Sequence, residues 1–194
     1  MRSKNYFGAV FAAAIAFALS GCAEPARIDQ MVATPTAQLP QASNLRNAIA
    51  VNAVTGGSST NPLWVSKVGN AEFQTALENS LKNAGMLASG PSRYRLETSL
   101  VSLDQPMIGF DLTVRSGVQY MLTDTATNQI VFNKPVNAEF TAHVSDAFIA
   151  VERLRLANEG SIKANIQMFL DQLISAMGSG TPISQISLSA RPAG

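Results

Sequence analysis

The chain contains one cysteine, Cys22, and one histidine, His143, among its 194 residues. A single cysteine excludes an intramolecular disulfide, and a single histidine leaves few ligands for a zinc site. Charged residues make up 14% of the chain, against about 25% in typical globular proteins. Its 14 basic and 13 acidic residues form no basic block, so we expect no nucleic-acid partner. We also expect no metal and no cofactor.

Long apolar runs are confined to the N-terminus. After Arg2 and Lys4, about fourteen apolar or small residues extend from Tyr6 to Leu19, too few for a membrane span of about 20 residues. A short basic region, an apolar region and small residues at a cleavage site are typical of a secretory signal. We predict residues 1–21 to be this signal, which leaves 12 basic and 13 acidic residues and a mature charge of 12 − 13 = −1.

The only cysteine stands at the predicted cleavage site. Leu19-Ser20-Gly21-Cys22 resembles the lipobox of bacterial lipoproteins. The resemblance implies that Cys22 receives a diacylglycerol and becomes the new N-terminus, and that the lipid holds the protein on the membrane. Two acyl chains anchor a protein without a basic patch. Ala23, where inner-membrane lipoproteins typically carry Asp, resembles the outer-membrane pattern and implies the periplasmic face of that membrane.

The mature chain is predicted to contain one domain between two flexible segments. Residues 22–46 include Pro25, Pro35 and Pro40 without an apolar period, which indicates a lipidated N-terminus and a tether. Residues 47–177 carry regular patterns and predict a single domain. Residues 178–194 are rich in Gly, Ser, Thr and Pro and predict a flexible tail, with a weak edge strand at 183–188 as the alternative.

The patterns predict the element order β-α-β-β-β-α. An alternating strand is expected over 47–54, a helix with Asn70 as N-cap and Gly85 after its end, and strands over 94–100, 110–122 and 130–140. The second strand slips phase near Ser102, which indicates a bulge, and Pro135 favours an edge position. A long helix runs from about 154 to 177, with a bend or a break at Gly160 left open. This order predicts an α+β two-layer sandwich, a mostly antiparallel sheet with helices on one face.

No residue is predicted to be catalytic. His143-Val144-Ser145-Asp146 contains the residue types of a hydrolase, but neighbouring residues rarely supply the required mutual geometry, and no Gly-x-Ser-x-Gly motif is present. We expect Ser145 or Asp146 to cap the following helix instead. The glycine-rich segment 56–62 lacks the lysine of a P-loop and is expected to be a mobile loop. Trp64 is expected at the edge of the core, with a contact role as the alternative.

Charged residues gather at two places: Arg93 and Arg95, and the start of the long helix at Glu152, Arg153, Arg155 and Glu159. We expect solvated charges paired along the helix, with a polar rim for a protein partner as the alternative.

The segment 145–166, which contains Glu-Arg-Leu-Arg-Leu-Ala-Asn-Glu-Gly-Ser-Ile-Lys-Ala-Asn-Ile, resembles small, YajG-like bacterial envelope lipoproteins. That family carries no known catalytic residues, so the resemblance implies a non-catalytic accessory or binding subunit for outer-membrane assembly, transport or maintenance, with an envelope protein as partner. The alternative is a periplasmic domain that captures a lipid or glycan between sheet and long helix.

Overall fold

The computed structural model describes residues 25–57, 68–106 and 108–178. Cys22, Trp64 and the tail from residue 179 therefore lie outside the described residues. The elements, in chain order, are α1 (Ile28–Met31), β1 (Ile49–Thr55), α2 (Asn70–Asn83), β2 (Tyr94–Asp104), β3 (Leu112–Asp124), β4 (Gln129–Ala142) and α3 (Ala150–Met177). Apart from the short α1, this is the predicted β-α-β-β-β-α order, and the predicted α+β class is confirmed.

The four strands form one sheet in the order β1-β2-β3-β4. β1 and β2 are parallel, and the other neighbours are antiparallel. A parallel pair needs a crossover connection, and α2 lies in it. The pairing register shifts between Leu100 and Ser102, which confirms the predicted bulge, and the Pro135 strand occupies an edge as predicted.

The helices pack on one face of this sheet. The inward side chains of β3 include Val114, Val118, Tyr120 and Leu122, all at most 1% exposed. Val118, Tyr120 and Leu122 join the buried faces of α2 and α3 in the main hydrophobic core, whereas Val114 packs in a smaller cluster with Leu112, Ala142 and Ala157. Alternating residues along a strand point to opposite faces, so the other face of the sheet carries the polar members of the pattern.

The end of α2 follows the predicted helix-stop chemistry. Gly85 adopts φ +70° directly after the helix cap, the left-handed conformation that glycine reaches without steric cost. The start differs by one residue: Gly69 is the N-cap, and Asn70 is the first helical residue. The Asn70 side chain instead accepts a hydrogen bond from the backbone N–H of Gly57, at 2.7 Å.

α3 is a single helix of 28 residues that passes through Gly160 without a break. A Cβ at Gly160 would lie 2.3 Å from the ring of Phe140 on β4, so glycine here permits close helix–sheet approach. The predicted cap is wrong. The N-cap is Ile149, which makes no side-chain cap bond, whereas Asp146 accepts the backbone N–H of His143 at 2.8 Å and closes a turn.

The predicted tether is wrong for residues 26–46, which pack against the helices; we call them the N-terminal strap. Met31, Ala33 and Leu45 are fully buried in the core. The backbone N–H of Ala33 donates to the Ser80 hydroxyl at 2.9 Å. Irregularly spaced apolar residues between prolines carry no periodic signal, so only tertiary packing reveals that they are buried.

One apolar residue predicted in a strand lies outside it, and a second lies in its strand as predicted but is exposed. Phe110 was predicted to begin the third strand, but β3 begins at Leu112 and Phe110 is 86% exposed. Ile130 is exposed because the pairing of β3 with β4 shifts register beside it, between Leu122 and Thr123.

Candidate functional site

Two loops meet at one end of the sheet. The β2–β3 connection (105–111) and the β4–α3 connection (143–149) lie together because β2 and β4 both run toward this end and β3 starts from it. We call these two connections the loop end of the domain. Residue 107 within them is outside the described residues.

Four large apolar side chains project from the loop end. The exposed fractions are 93% for Ile108, 86% for Phe110, 89% for Phe148 and 63% for Ile149. We call these four residues the apolar tip. Scattered exposed hydrophobic residues are ordinary, but a group of them on adjoining loops indicates a binding surface.

The two loops are tied together by Asp111. Its carboxylate lies 3.0 Å from His143 Nδ1 and also accepts the backbone N–H of Val144 at 3.1 Å. The hydrogen bond with His143 lowers the pKa of Asp111, and the same contact raises the pKa of His143. His143, the candidate base of a hydrolase, therefore braces one loop against the other.

Side chains of α3 fix each loop to the helix. Arg153 is 6% exposed, and its Nη1 donates to the carbonyls of Ala147 and Phe148 at 2.6 and 2.8 Å. On the other loop, Gln105 donates to the Asn158 side chain at 2.7 Å. The apolar tip is thus presented on braced loops.

The charges at the start of α3 are buried, which corrects the predicted solvated face. Arg155 is 5% exposed and Glu159 2%. Glu159 accepts the backbone N–H of Arg27 at 2.8 Å and its guanidinium at 3.2 Å, which raises the pKa of Arg27. Arg155 pairs with Glu152 and lies 3.7 Å from Glu159. The predicted pairing along the helix is confirmed, and Glu159 also holds the strap through Arg27.

The strap runs along α3 in the same direction as the helix. Arg27 contacts Glu159, Thr36 accepts from Gln167, and the N–H of Ala37 donates to Asp171 at 2.8 Å. Contacts thus advance along both segments together. Pro25, which precedes the strap, is exposed.

The interior between sheet and long helix is filled. Tyr120 stacks on Phe169 with ring centroids 3.9 Å apart, and both side chains are fully buried. The Tyr120 hydroxyl donates to Asn165 at 3.0 Å, and burial raises the Tyr120 pKa well above its ordinary value. Asn165 in turn donates to the Val136 and Ser116 carbonyls, at 2.9 and 3.1 Å. This region holds packed aromatic and amide groups where a captured lipid was the alternative expectation.

Elsewhere, the described surface carries shallow depressions. A depression on the open face of the sheet is lined by Glu97, Ser99, Gln119 and Met121, among others. Within residues 25–57, 68–106 and 108–178, no three His, Cys, Asp or Glu side chains come together as a metal site would require. None of the helices described there is both long and apolar enough to cross a bilayer.

The sequence did not reveal the two contacts that organise this end. Asp111 and His143 are 32 residues apart, and Arg27 and Glu159 are 132 apart. The nearest signal was the cluster of charges at the start of the long helix, which was expected to face solvent. Cys22, the predicted lipidation site, and Trp64 lie outside the described residues.

No family model matches the chain, and no curated protein matches it in sequence. Among solved structures, protein XCC0632 of Xanthomonas campestris, from the family DUF330, is 12% identical, with a TM-score of 0.55 over 74% of this chain and 91% of that one. A candidate lipoprotein of Caulobacter crescentus is 14% identical, with a TM-score of 0.49 over 70% and 93%. PelC of Paraburkholderia phytofirmans, a dodecamer, is 15% identical, with a TM-score of 0.46 over 71% and 95%. The likeness to XCC0632 shows a shared fold.

Proposed function

We propose that this protein is a lipid-anchored lipoprotein of the bacterial envelope, similar to YajG-like proteins, with its lipid on Cys22. The signal-like run that ends at the only cysteine supports the anchor. The carrying observation is that the packed domain includes a residue only five positions after Cys22, because the backbone N–H of Arg27 donates to buried Glu159. The domain therefore works at the membrane surface. Ala23 supports the outer membrane and its periplasmic face.

The proposed role is a non-catalytic accessory or binding subunit in outer-membrane assembly, transport or maintenance, with an envelope protein as its partner. The filled interior around Tyr120 and Phe169 favours this role over capture of a lipid or glycan. Among the described residues the His143 ring is hydrogen-bonded to Asp111 and to no hydroxyl or thiol nucleophile, which favours a bracing role over catalysis.

Metabolic palmitate labelling tests the anchor. The wild-type protein should incorporate palmitate and float with membranes, whereas Cys22→Ser should remain an unlabelled and uncleaved precursor. A matched control is Ser43→Ala in the strap, which changes a small residue of the mature chain and should leave labelling intact. Equal labelling of the Cys22→Ser protein would refute the proposal.

In vivo photocrosslinking tests the role. A photoreactive residue at Gln119, on the open face of the sheet, should capture one envelope protein reproducibly, and the same residue at Thr127, in the β3–β4 turn, serves as control. A measurable enzymatic activity that His143→Ala abolishes without lowering the melting temperature would refute the non-catalytic role.

A further inference from the structure

The start of the strap contacts α3 nearer to the loop end than to the far end of the helix, because Arg27 is bonded to Glu159, nine residues from Ala150 and eighteen from Met177. The strap contacts α3 in step with the helix, so tracing the chain back from Arg27 leads toward the helix start. From Glu159 back to Ala150 the helix rises about 13 Å, at 1.5 Å per residue. The loop end stands at that helix start.

The covalent link to the anchor is short. From Cys22 to Pro25 the chain can span at most about 11 Å, at 3.6 Å per residue. A lipid on Cys22 thus holds the bilayer surface within about 11 Å of Pro25. This distance is comparable to the rise of about 13 Å between Ala150 and Glu159 in α3. The link is shorter than the roughly 27 Å of α3 between Glu159 and Met177, which favours the loop end as the end that faces the bilayer.

We propose that the apolar tip inserts into the bilayer that carries the anchor; this inference rests on the proposed lipidation of Cys22. Ile108, Phe110, Phe148 and Ile149 are each more than 60% exposed, and aromatic and aliphatic side chains of this size enter the boundary between headgroups and acyl chains. The anchor supplies the attachment, and the tip sets the orientation of the domain.

The charges at the loop end fit a zwitterionic lipid surface. Neither loop contains a lysine or an arginine, so attraction to anionic lipid has no source there. Of the acidic side chains on the two loops, Asp111 contacts His143, and Asp146 accepts the backbone N–H of the same residue. The inserted side chains are the uncharged ones.

Site-directed fluorescence tests the orientation. The full lipidated protein is reconstituted into phosphatidylcholine vesicles that carry nitroxide-labelled lipid. Because the thioether consumes the Cys22 thiol, an introduced cysteine is the only free thiol and takes an environment-sensitive dye. Phe110→Cys and Phe148→Cys report on the tip. Gln30→Cys, exposed on the strap eight residues after Cys22, controls for proximity, and Thr127→Cys reports on the far end.

The expected result is blue-shifted emission and strong quenching by lipid nitroxides at positions 110 and 148, with neither change at 30 and 127. Water-like emission at all four positions of a vesicle-bound protein would overturn the insertion and leave the anchor intact. Dyes at 110 and 148 that are shielded from water but not quenched would also overturn it, and would indicate a protein interface. A protein that carries no palmitate and does not float with the vesicles would instead refute the anchor, and the inference with it.

A second variant tests whether the two phenylalanines themselves cause the insertion. In Phe110→Ser/Phe148→Ser, both side chains are replaced where they touch little of the fold, so the protein should remain folded and anchored. A dye at Ile108→Cys in this background should lose most of the lipid quenching that it shows with both phenylalanines present. Unchanged quenching would contradict insertion of the tip.

Discussion

Removal of the Glu159 carboxylate should release the strap from α3. Glu159→Ala leaves the backbone N–H and the guanidinium of Arg27 without their acceptor, and it takes one carboxylate from the side of buried Arg155. Loss of one member of a buried ion pair costs about 3–5 kcal/mol. Because Arg27 is 43% exposed and can regain water, we expect the lower end, about 3 kcal/mol.

The loss is measurable by urea denaturation of the mature protein in detergent. With an m-value of about 2 kcal/mol/M, a loss of 3 kcal/mol lowers the urea midpoint by about 1.5 M. Hydrogen exchange should locate the change in the strap, where the N–H groups of Ala33 and Ala37 are bonded to side chains of α2 and α3. These amides should exchange faster in Glu159→Ala, whereas those of the central strand β3 should still exchange only through global unfolding.

The matched control is Glu139→Ala. Glu139 pairs with Arg115 at 3.0 Å, but both side chains are about two-thirds exposed. Such a surface pair contributes about 0–1 kcal/mol. If Glu159→Ala and Glu139→Ala shift the urea midpoint equally, the buried carboxylate does not hold the strap, and the short link between anchor and domain loses its structural basis.

Three further perturbations test the interior, the loop brace and a turn. Tyr120→Phe removes the donor to buried Asn165 and should cost about 1–2 kcal/mol in urea denaturation, and no loss would show that the hydrogen bond is absent in solution. His143→Asn removes the contact between His143 and Asp111 and should therefore remove a pH-dependent part of the free energy of unfolding. The pKa of His143 is raised from 6.5, so its contribution is present below pH 6.5 and is lost as the pH rises through the folded pKa. The pKa of Asp111 is lowered from 3.8, so its contribution is present above pH 3.8 and is lost as the pH falls through the folded pKa. Thermal melts from pH 3 to 9 should therefore separate wild type from variant most between about 4 and 6.5, and parallel curves would contradict this. Gly85→Ala places a Cβ at φ +70°, where it meets Arg46 Nη1 at an ordinary contact distance of 3.6 Å but the backbone is strained, and should lower stability by about 1–2 kcal/mol. An unchanged melt would show that the turn relaxes.

Local patterns predicted the parts of the fold that local rules control. The stop at Gly85, the bulge near Ser102, the edge position of the Pro135 strand and the continuous apolar stripe of the long helix each depend on residues close in sequence. The two-layer class followed because strands of period two and helices of period 3.6 must bury one face each.

The strap and the loop end could not be predicted in this way. Met31 and Leu45 are buried by helices that follow much later in the chain, and their spacing matches neither period. Phe110 extends the alternating pattern of β3 by one step, so pattern alone places it in the sheet, whereas it belongs to a loop braced by Asp111. Buried Glu159 resembled an ordinary surface charge because its cation, Arg27, lies 132 residues away.

The packed strap changes what a lipid anchor means for this domain. A free tether of about 24 residues would place the domain some 25–30 Å from the bilayer on average, in any orientation. If Cys22 carries the proposed lipid, only five positions separate the lipid from Arg27, which is bonded to α3, so the fold then sets the orientation of the domain. β3 spans about 44 Å at 3.4 Å per residue, so a domain resting on its loop end holds the β3–β4 turn roughly that far from the membrane. The open face of the sheet is then perpendicular to the membrane plane, and a partner in the same bilayer can reach it from the side.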